Sequence, residues 1–308
     1  MRVTIGICAY NEANNIGCLL DKILNEQELP LDAEVLVVSS GCTDGTTKIV
    51  QHYAELDPRV RIYVEKERRG KASAMNQILA NGKGDAFLFI SADTLPWKSC
   101  FKQLIYGLQA PEVGVVCGRP VPIDHHKSLT DKLVNVLWDF HDHVFRELND
   151  AGLARHATEV FCVRKGIVES IPNETINDDS YIALLAKKKG WLINYNSESC
   201  VSICGPRTFS DYIKQRRRIL RGHSQVRKTT GEVPQHLLYL FPKHPVIVAQ
   251  LLLWLIKKYG FITFFTFALV ELIISDLALI DSISKKPSAA WSIATSTKNL
   301  NQGTVYHV

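Results

Sequence analysis

"AFLFISADTLPW", residues 86–97, is the most telling stretch: five apolar residues run without a break and stop at the small polar triplet Ser91-Ala92-Asp93. A strand buried on both faces reads as such an unbroken run, whereas a half-exposed strand alternates. Strands of this kind belong to sheets covered by helices on both sides. Asp93 then lies just past a strand's carboxyl end, the edge where open α/β sheets bind ligands.

The same pattern continues on both sides of it. Val3–Ala9, Val35–Val38, Arg61–Val64 and Val113–Cys117 read as strands, and Asn14–Asn25, Gly45–Glu55 and Lys71–Ala80 as helices between them. Strand–helix alternation at this pitch predicts an α/β fold with a mainly parallel sheet flanked by helices. From about 124 to 157 the pattern is helical and rich in His and Asp. His141 and His143 are two apart and fall on different helical faces, so helical surface or acceptor-site polarity is expected there, not a metal pair. Strands return at Glu159–Val163 and Leu192–Tyr195, with helices at 179–189 and 209–221.

At 308 residues, 46% hydrophobic and 22% charged, the chain is globular and large enough for one α/β domain plus an appendage. The net charge of +5 is mild and gathers in local runs (Glu65–Lys71, Lys187–Lys189, Arg216–Arg221). That favours an anionic partner at particular patches; nucleic acid is not expected. The eight cysteines include no C-x-x-C pair and read as reduced thiols. "MRVTIGICAYNE" enters a strand with no signal peptide before it, so the catalytic part is expected to face the cytosol.

After Gly222 the character changes. An apolar run at 246–256 and a second at 259–280 are separated by a Lys-Lys-Tyr-Gly break. The second is about 33 Å long as a helix, enough to cross a bilayer. It also carries Glu271 and Asp276, and an acid at mid-bilayer costs about 2.5–3.5 kcal/mol. Spanning the membrane, lying in its plane, and packing as core or dimer-interface helices all stay open. The expected organisation is a catalytic domain over 1–230, a hydrophobic, membrane-associated segment over 231–283 and a polar tail over 284–308.

Four strand–helix junctions carry the candidate chemistry. "AYNEANNI" offers Ala9, Asn11 and Glu12, with Asn11 or Asn14 as a helix cap. "VVSSGCTDGT" offers Ser40 and a glycine-bearing turn that lets a flat ligand approach; Asp44 either caps the next helix or meets a base or ribose. In "ERRGKASAMNQ", Lys71 stands in a helix's first turn, where a cation opposes the macrodipole unless a diphosphate sits in front. A solvated basic loop is the alternative. The fourth junction is Ser91, Ala92 and Asp93, where the acid suits a divalent ion bridging phosphates.

The ordered set A-Y-N-E, S-S-G-C-T-D-G-T, G-K-A-S-A-M-N and S-A-D-T-L-P resembles the amino-terminal half of family-2 glycosyltransferases, which have the GT-A fold. The resemblance implies a nucleotide-sugar donor over Ala9, Asn11, Glu12, Ser40, Asp44, Lys71, Ser91, Ala92 and Asp93, with Mg²⁺ or Mn²⁺ on Asp93. Ser91 stands where the family's D-x-D motif has its first acid, and Ser39-Ser40 replace an acidic pair. "INDDSYIALLAKKKGW" matches the family's E-D pair, helix and Gly-aromatic, with Asn177 as a cap, Gly190 closing the helix, and Asp178 and Asp179 as the pair. The resemblance makes Asp179 the general base, which the helix dipole would keep ionised.

"TFSDYIKQRRRILRGH" begins with a Thr208-x-x-Asp211 near-capping box and puts Gln215, Arg218, Ile219 and Gly222 on one helical face. It resembles the family's Q-x-x-R-W motif with Ile219 in place of Trp, which implies that Arg218 and Gln215 attend the leaving diphosphate. The resemblance thus implies inverting, metal-dependent transfer to a hydroxyl or phosphate of a lipid-linked or glycan acceptor at a membrane's cytoplasmic face. A polyprenyl-phosphate sugar synthase and a processive polysaccharide synthase are alternatives within the family. A nucleotidyltransferase and a non-catalytic nucleotide-binding membrane protein are alternatives outside it.

Overall fold

The computed structural model describes residues 1–123, 128–232, 234–235 and 237–284. The first half alternates as expected: β1 (Val3–Ala9), α1 (Ile16–Glu26), β2 (Glu34–Ser40), α2 (Thr46–Leu56), β3 (Val60–Glu65), α3 (Lys71–Asn81) and β4 (Ala86–Ser91). There follow β5 (Thr94–Pro96), α4 (Cys100–Gly107), β6 (Val113–Pro122), α5 (Leu129–Asp150), β7 (Val160–Arg164), α6 (Asp178–Lys188), β8 (Leu192–Ile203) and α7 (Phe209–Thr230). A short α8 (Leu237–Leu240) leads to α9 (Pro245–Tyr259) and α10 (Phe261–Ser284). The start of the helical stretch expected from 124, and the polar tail from Lys285, lie outside the described residues.

The strands form one eight-stranded sheet in the order β3-β2-β1-β4-β7-β6-β8-β5. β1, β2, β3 and β4 pair in parallel, β7 runs antiparallel between β4 and β6, and β5 runs antiparallel beside β8. The architecture is the GT-A fold, an open mixed sheet flanked by helices. The chain leaves β1 for β2 and β3, then returns through α3 to β4 on β1's other side. The carboxyl ends of β1 and β4 therefore border a topological switch point, the crevice where such sheets take ligands.

Strand alternation sorts the core into two layers. Ile5, Ile7, Val35, Val37, Leu88 and Ile90 face α1 and α4, meeting Leu19, Leu20, Phe101 and Leu104. Leu36, Val38, Phe87, Phe89 and Phe161 face the other side, meeting Met75 and Ile78 of α3 and Ile182 and Ala183 of α6. Each such side chain contributes about 1.5–3 kcal/mol when fully buried. β5 and α4 escape the sequence reading because three residues ending in Pro96 show no period. β8 reaches Ile203, not Tyr195, because polar residues at 196–199 interrupt its apolar pattern at a register shift against β6.

The hydrophobic segment forms a third core. Val248, Leu251 and Leu255 of α9 and Phe267 and Ile274 of α10 pack on Leu133, Val136 and Phe140 of α5 and Tyr212 of α7. Gly260, at φ +80°, breaks the two helices apart. The inner face of α10 also carries acids: Glu271 accepts from both Arg216 and the Tyr212 hydroxyl at 2.7 Å, and Asp281 meets Arg217 at 2.6 Å. The outer face is apolar and exposed through Ile262, Phe265, Leu269, Leu272, Ile273 and Leu279. By length and composition, the Phe261–Ser282 stretch could cross a membrane. His141 departs from the expected helical surface: it stacks on Phe145 with ring centroids 4.0 Å apart, and burial pushes its pKa down to about 3.

Candidate active site

The loops after β1 and β2 are stitched together. Asn11 takes a left-handed backbone, φ 52°, and its Oδ1 accepts from the Thr43 backbone at 2.8 Å. Its own N–H donates to the Cys42 Sγ, which in turn donates to the Ala9 carbonyl. Asp44 does not cap α2, whose N-cap is Gly45; one residue before it, Asp44 accepts from the backbone N–H groups of Ala13 and Thr46 and ties the two loops. Gly41 is required where it stands: at φ +61°, an added Cβ would lie 2.3 Å from the Arg68 backbone nitrogen. Arg68 lies over the Tyr10 ring at 4.2 Å.

Several expectations change here. Neither Asn11 nor Asn14 caps α1; the Glu12 carbonyl accepts from the Asn15 and Ile16 N–H groups instead. Glu12 is buried, its carboxylate accepting from Asn15 at 2.9 Å, so it builds the loop. Ser40 is buried too, and its hydroxyl donates to Glu65, which also accepts from Ser73 at 2.8 Å. Glu65 thus brings a carboxylate to the end of β2, where the sequence has only serines. Sequence reasoning missed it because its partners stand 25 and 8 residues away.

Lys71 ion-pairs with Asp178 at 2.9 Å. Its side chain is 45% exposed, and two acids, Asp178 and Asp179, act on its ammonium. Burial works against its charge, and Asp178 and Asp179 outweigh that, holding its pKa above the usual lysine value. Asp178 is itself buried and spends its charge on Lys71, so it positions the lysine and does not face the cleft as a reactive group. Asn177 stands at the N-cap of α6 as expected, but its side chain makes no capping hydrogen bond and donates to the Ile219 carbonyl of α7 at 2.9 Å.

Asp179 is half-buried at the start of α6 and accepts from the Ser180 N–H at 2.6 Å. Its pKa is raised, chiefly by burial and further by Asp178, against the opposing pull of His156 and Lys71. Burial and the neighbouring acid outweigh the helix dipole that was expected to keep it ionised. A carboxylate so raised is the stronger proton acceptor once it ionises. Glu159, absent from the sequence-based site, joins this group: burial, then Asp179 and Asp93, lift its pKa to about 7 although Lys71 opposes.

Ser91 and Ala92 lead into the turn that carries Asp93, where the Ser91 carbonyl accepts from Thr94 Oγ1 at 2.7 Å. Asp93 is half-buried, and its carboxylate makes no hydrogen bond or ion pair among the described residues. The donor chemistry fits a hard divalent cation. Glu159 lies within electrostatic reach of Asp93 and Asp179, Asp179 of Asp178, and Lys71 is already matched. An anionic diphosphate would be repelled from such a place without a cation to bridge them.

Across the cleft, Thr208 caps α7 by accepting from the Asp211 N–H at 3.1 Å, as the near-capping box predicts. Gly222 lets α7 approach α6: an added Cβ would meet Asn177 Oδ1 at 2.1 Å. Ile219 and Gly222 therefore face the start of α6, and Gln215 and Arg218 lie one turn earlier on the same side. Arg218 is exposed, and neither it nor Gln215 spends its side chain on a partner among the described residues.

The model of Glycosyl transferase family 2 matches residues 4–171, more than half of the chain. "Probable glycosyltransferase YdaM" of Bacillus subtilis is 25% identical over 238 residues, covering 73% of this chain and 56% of that protein. This chain thus spans little more than half of YdaM's length. A dolichyl-phosphate beta-glucosyltransferase of Dictyostelium discoideum is 28% identical over 127 residues, 38% of this chain and 39% of that one. Among solved structures, the mannosyltransferase PcManGT from Pyrobaculum calidifontis, in complex with GDP-Man and Mn²⁺, superposes with a TM-score of 0.69. It is 23% identical, and the match covers 92% of this chain and 88% of PcManGT.

Proposed function

Because this chain belongs to glycosyl transferase family 2, we propose that it is an inverting, metal-dependent enzyme that moves a sugar from a nucleotide diphosphate to a membrane-proximal, lipid-linked acceptor. One observation carries the reading: Glu159 lies within electrostatic reach both of Asp179, whose pKa burial raises, and of Asp93, just past the β4 end that borders the switch point. The stitched loops after β1 and β2 give the base and ribose a rigid bed. Asp93 would hold Mg²⁺ or Mn²⁺, which when bound neutralises charge growing on the leaving diphosphate.

In this mechanism Asp179 takes the proton from an acceptor hydroxyl as its oxygen bonds to the anomeric carbon. The bond from that carbon to the phosphate oxygen breaks on the opposite face, and its electron pair leaves with the diphosphate. Arg218 is free to meet that departing charge with its guanidinium fork, and Gln215 donates beside it. A single displacement inverts the anomeric centre.

The Dictyostelium relative favours a second reading, a polyprenyl-phosphate acceptor. A phosphate is already an anion and needs no base, so Asp179→Asn separates the two: it lowers transfer to a hydroxyl by about 10²–10⁴-fold and spares transfer to a phosphate. The test is a panel of radiolabelled nucleotide sugars with Mg²⁺ or Mn²⁺ and lipid extract, read as label entering the lipid phase. Absence of nucleoside diphosphate release with every donor and acceptor would sink the proposal.

The outer face of α10 supports attachment to the bilayer surface. Its inner face is held on α7 by Arg216–Glu271 and Arg217–Asp281, which favours lying in the plane over spanning. All eight cysteines are thiols, in keeping with a cytoplasmic face. Flotation with lipid vesicles should carry the protein upward, and Leu269→Glu with Leu272→Glu should leave it in the soluble fraction.

A further inference from the structure

We propose that the Arg216–Glu271 pair is a positioning device for the transfer reaction: by gripping α7 from α10, it fixes the rotation at which Arg218 is presented to the cleft. The inference rests on the reading above that gives Arg218 the leaving diphosphate.

Three consecutive arginines of α7 are used differently. Arg216 grips Glu271 of α10 at two points, its Nε donating to the carboxylate at 3.1 Å and its Nη2 at 2.7 Å. The Tyr212 hydroxyl, one turn earlier, donates to the same carboxylate at 2.7 Å. Arg217 donates twice to Asp281 of α10, at 2.9 and 2.6 Å. Arg218 is exposed and makes no ion pair among the described residues. Successive residues turn about 100° around a helix, so Arg218 stands about 160° from Arg216. The grip thus holds the side of α7 turned away from the candidate site.

The opposite side of α7 is tied to the chain that leads into α6. Gln225 accepts from the Ile176 N–H at 2.9 Å and donates to the Glu174 carbonyl at 2.6 Å. Asn177 donates to the Ile219 carbonyl, and an added Cβ at Gly222 would strike its side chain. These contacts begin at Ile219 and hold the second half of the helix; the first half, with Gln215, is held from α10. The pair lies in an apolar layer. Tyr212 is fully buried in one core with Leu133, Phe140, Leu251 and Phe267, and Arg216 and Glu271 are only 16% and 18% exposed. An apolar pair of similar volume would stabilise that layer as well or better. What the guanidinium fork adds is geometry, because it meets a carboxylate in one orientation. A catalytic group must be held within about 0.5 Å of its productive place, and a clamped helix meets that demand for the side chain on its far face.

The test is a double-mutant cycle in the full chain, reading nucleoside diphosphate release from UDP- and GDP-sugars with Mn²⁺ and lipid extract, with thermal melts alongside. Arg216→Lys keeps the charge and loses the two-point grip. It should lower kcat by about tenfold or more, with donor KM and Tm little changed. In an Arg218→Ala background the same substitution should cost no more than about twofold, because the group it positions is gone. Where Arg216→Lys melts early, Arg216→Met with Glu271→Met removes both charges together and carries the same cycle. A loss of equal size in both backgrounds overturns the proposal, as does an unchanged kcat in the folded variant. Arg218→Ala by itself separates this from the parent reading. If it costs about 10²-fold while Arg216→Lys costs nothing, only the positioning role falls; if it leaves kcat intact, the leaving-group role of Arg218 falls with it.

Discussion

The two sides of the cleft use their polar groups in opposite ways. Beside β1, β2 and β3 they are spent on one another: Asn11 on Thr43, Asp44 on Ala13 and Thr46, Glu65 on Ser40 and Ser73. Beside β4, β7, α6 and α7, Asp93, Gln215 and Arg218 make no hydrogen bond among the described residues, and acids crowd against acids. The first side is a frame whose strength lies in satisfied hydrogen bonds. The second is held against its own repulsion, as expected where function costs stability. Substitutions on the two sides should therefore move different observables.

The largest effect falls on the crowded side. With a hydroxyl acceptor, Asp179→Asn should lower turnover by about 10²–10⁴-fold and at the same time raise Tm at neutral pH. Asp179 binds its proton more tightly folded than unfolded. Its contribution to stability is thus complete below the unfolded value, near pH 4, and is lost as pH climbs through the raised folded value. Asparagine suffers no such loss, so the Tm difference should open upward from about pH 4. A variant that is inactive and also less stable at pH 7 would break the contrast. Next, Arg218→Ala should cost about 10²-fold in turnover with Tm unchanged, because the side chain is exposed and unspent.

The frame should answer in stability. Glu65→Ala removes the acceptor of two buried serine hydroxyls and should cost about 1–3 kcal/mol in urea unfolding. Smallest is Asn11→Ala, about 1–2 kcal/mol for forcing alanine into a left-handed backbone, with Asn11→Gly recovering the conformational part. If either frame variant lost turnover without losing stability, the division between the two sides would need redrawing.

Much of this was legible in the chain. β1 and α3 start where the apolar runs and the glycine before Lys71 put them, and the acid past β4 stands in the crevice. Polar partnerships were not legible. Ser40 read as an open group and is closed by Glu65; Asp178 read as catalytic and holds Lys71; Glu12 read as a ligand contact and ties Asn15. Glu271 read as an obstacle to membrane insertion and turned out to be matched by Arg216. For Ser40, Asp178 and Glu271 the missing partner lies on another element, and hydrogen bonds are made to whatever the fold brings near; Glu12 finds its partner three residues on, in a turn whose shape the sequence does not spell out.

The sequence made most of the elements legible, β5 and α4 excepted, because hydrophobic period and turn chemistry act within a few residues. It also determined the family, because strand-end motifs keep their order. Which acids are free, which are matched and which, like Glu159, come within reach of Asp93 and Asp179 follows from the folded arrangement alone. Charge and proton affinity depend on distance and burial, and neither is a property of position along a chain.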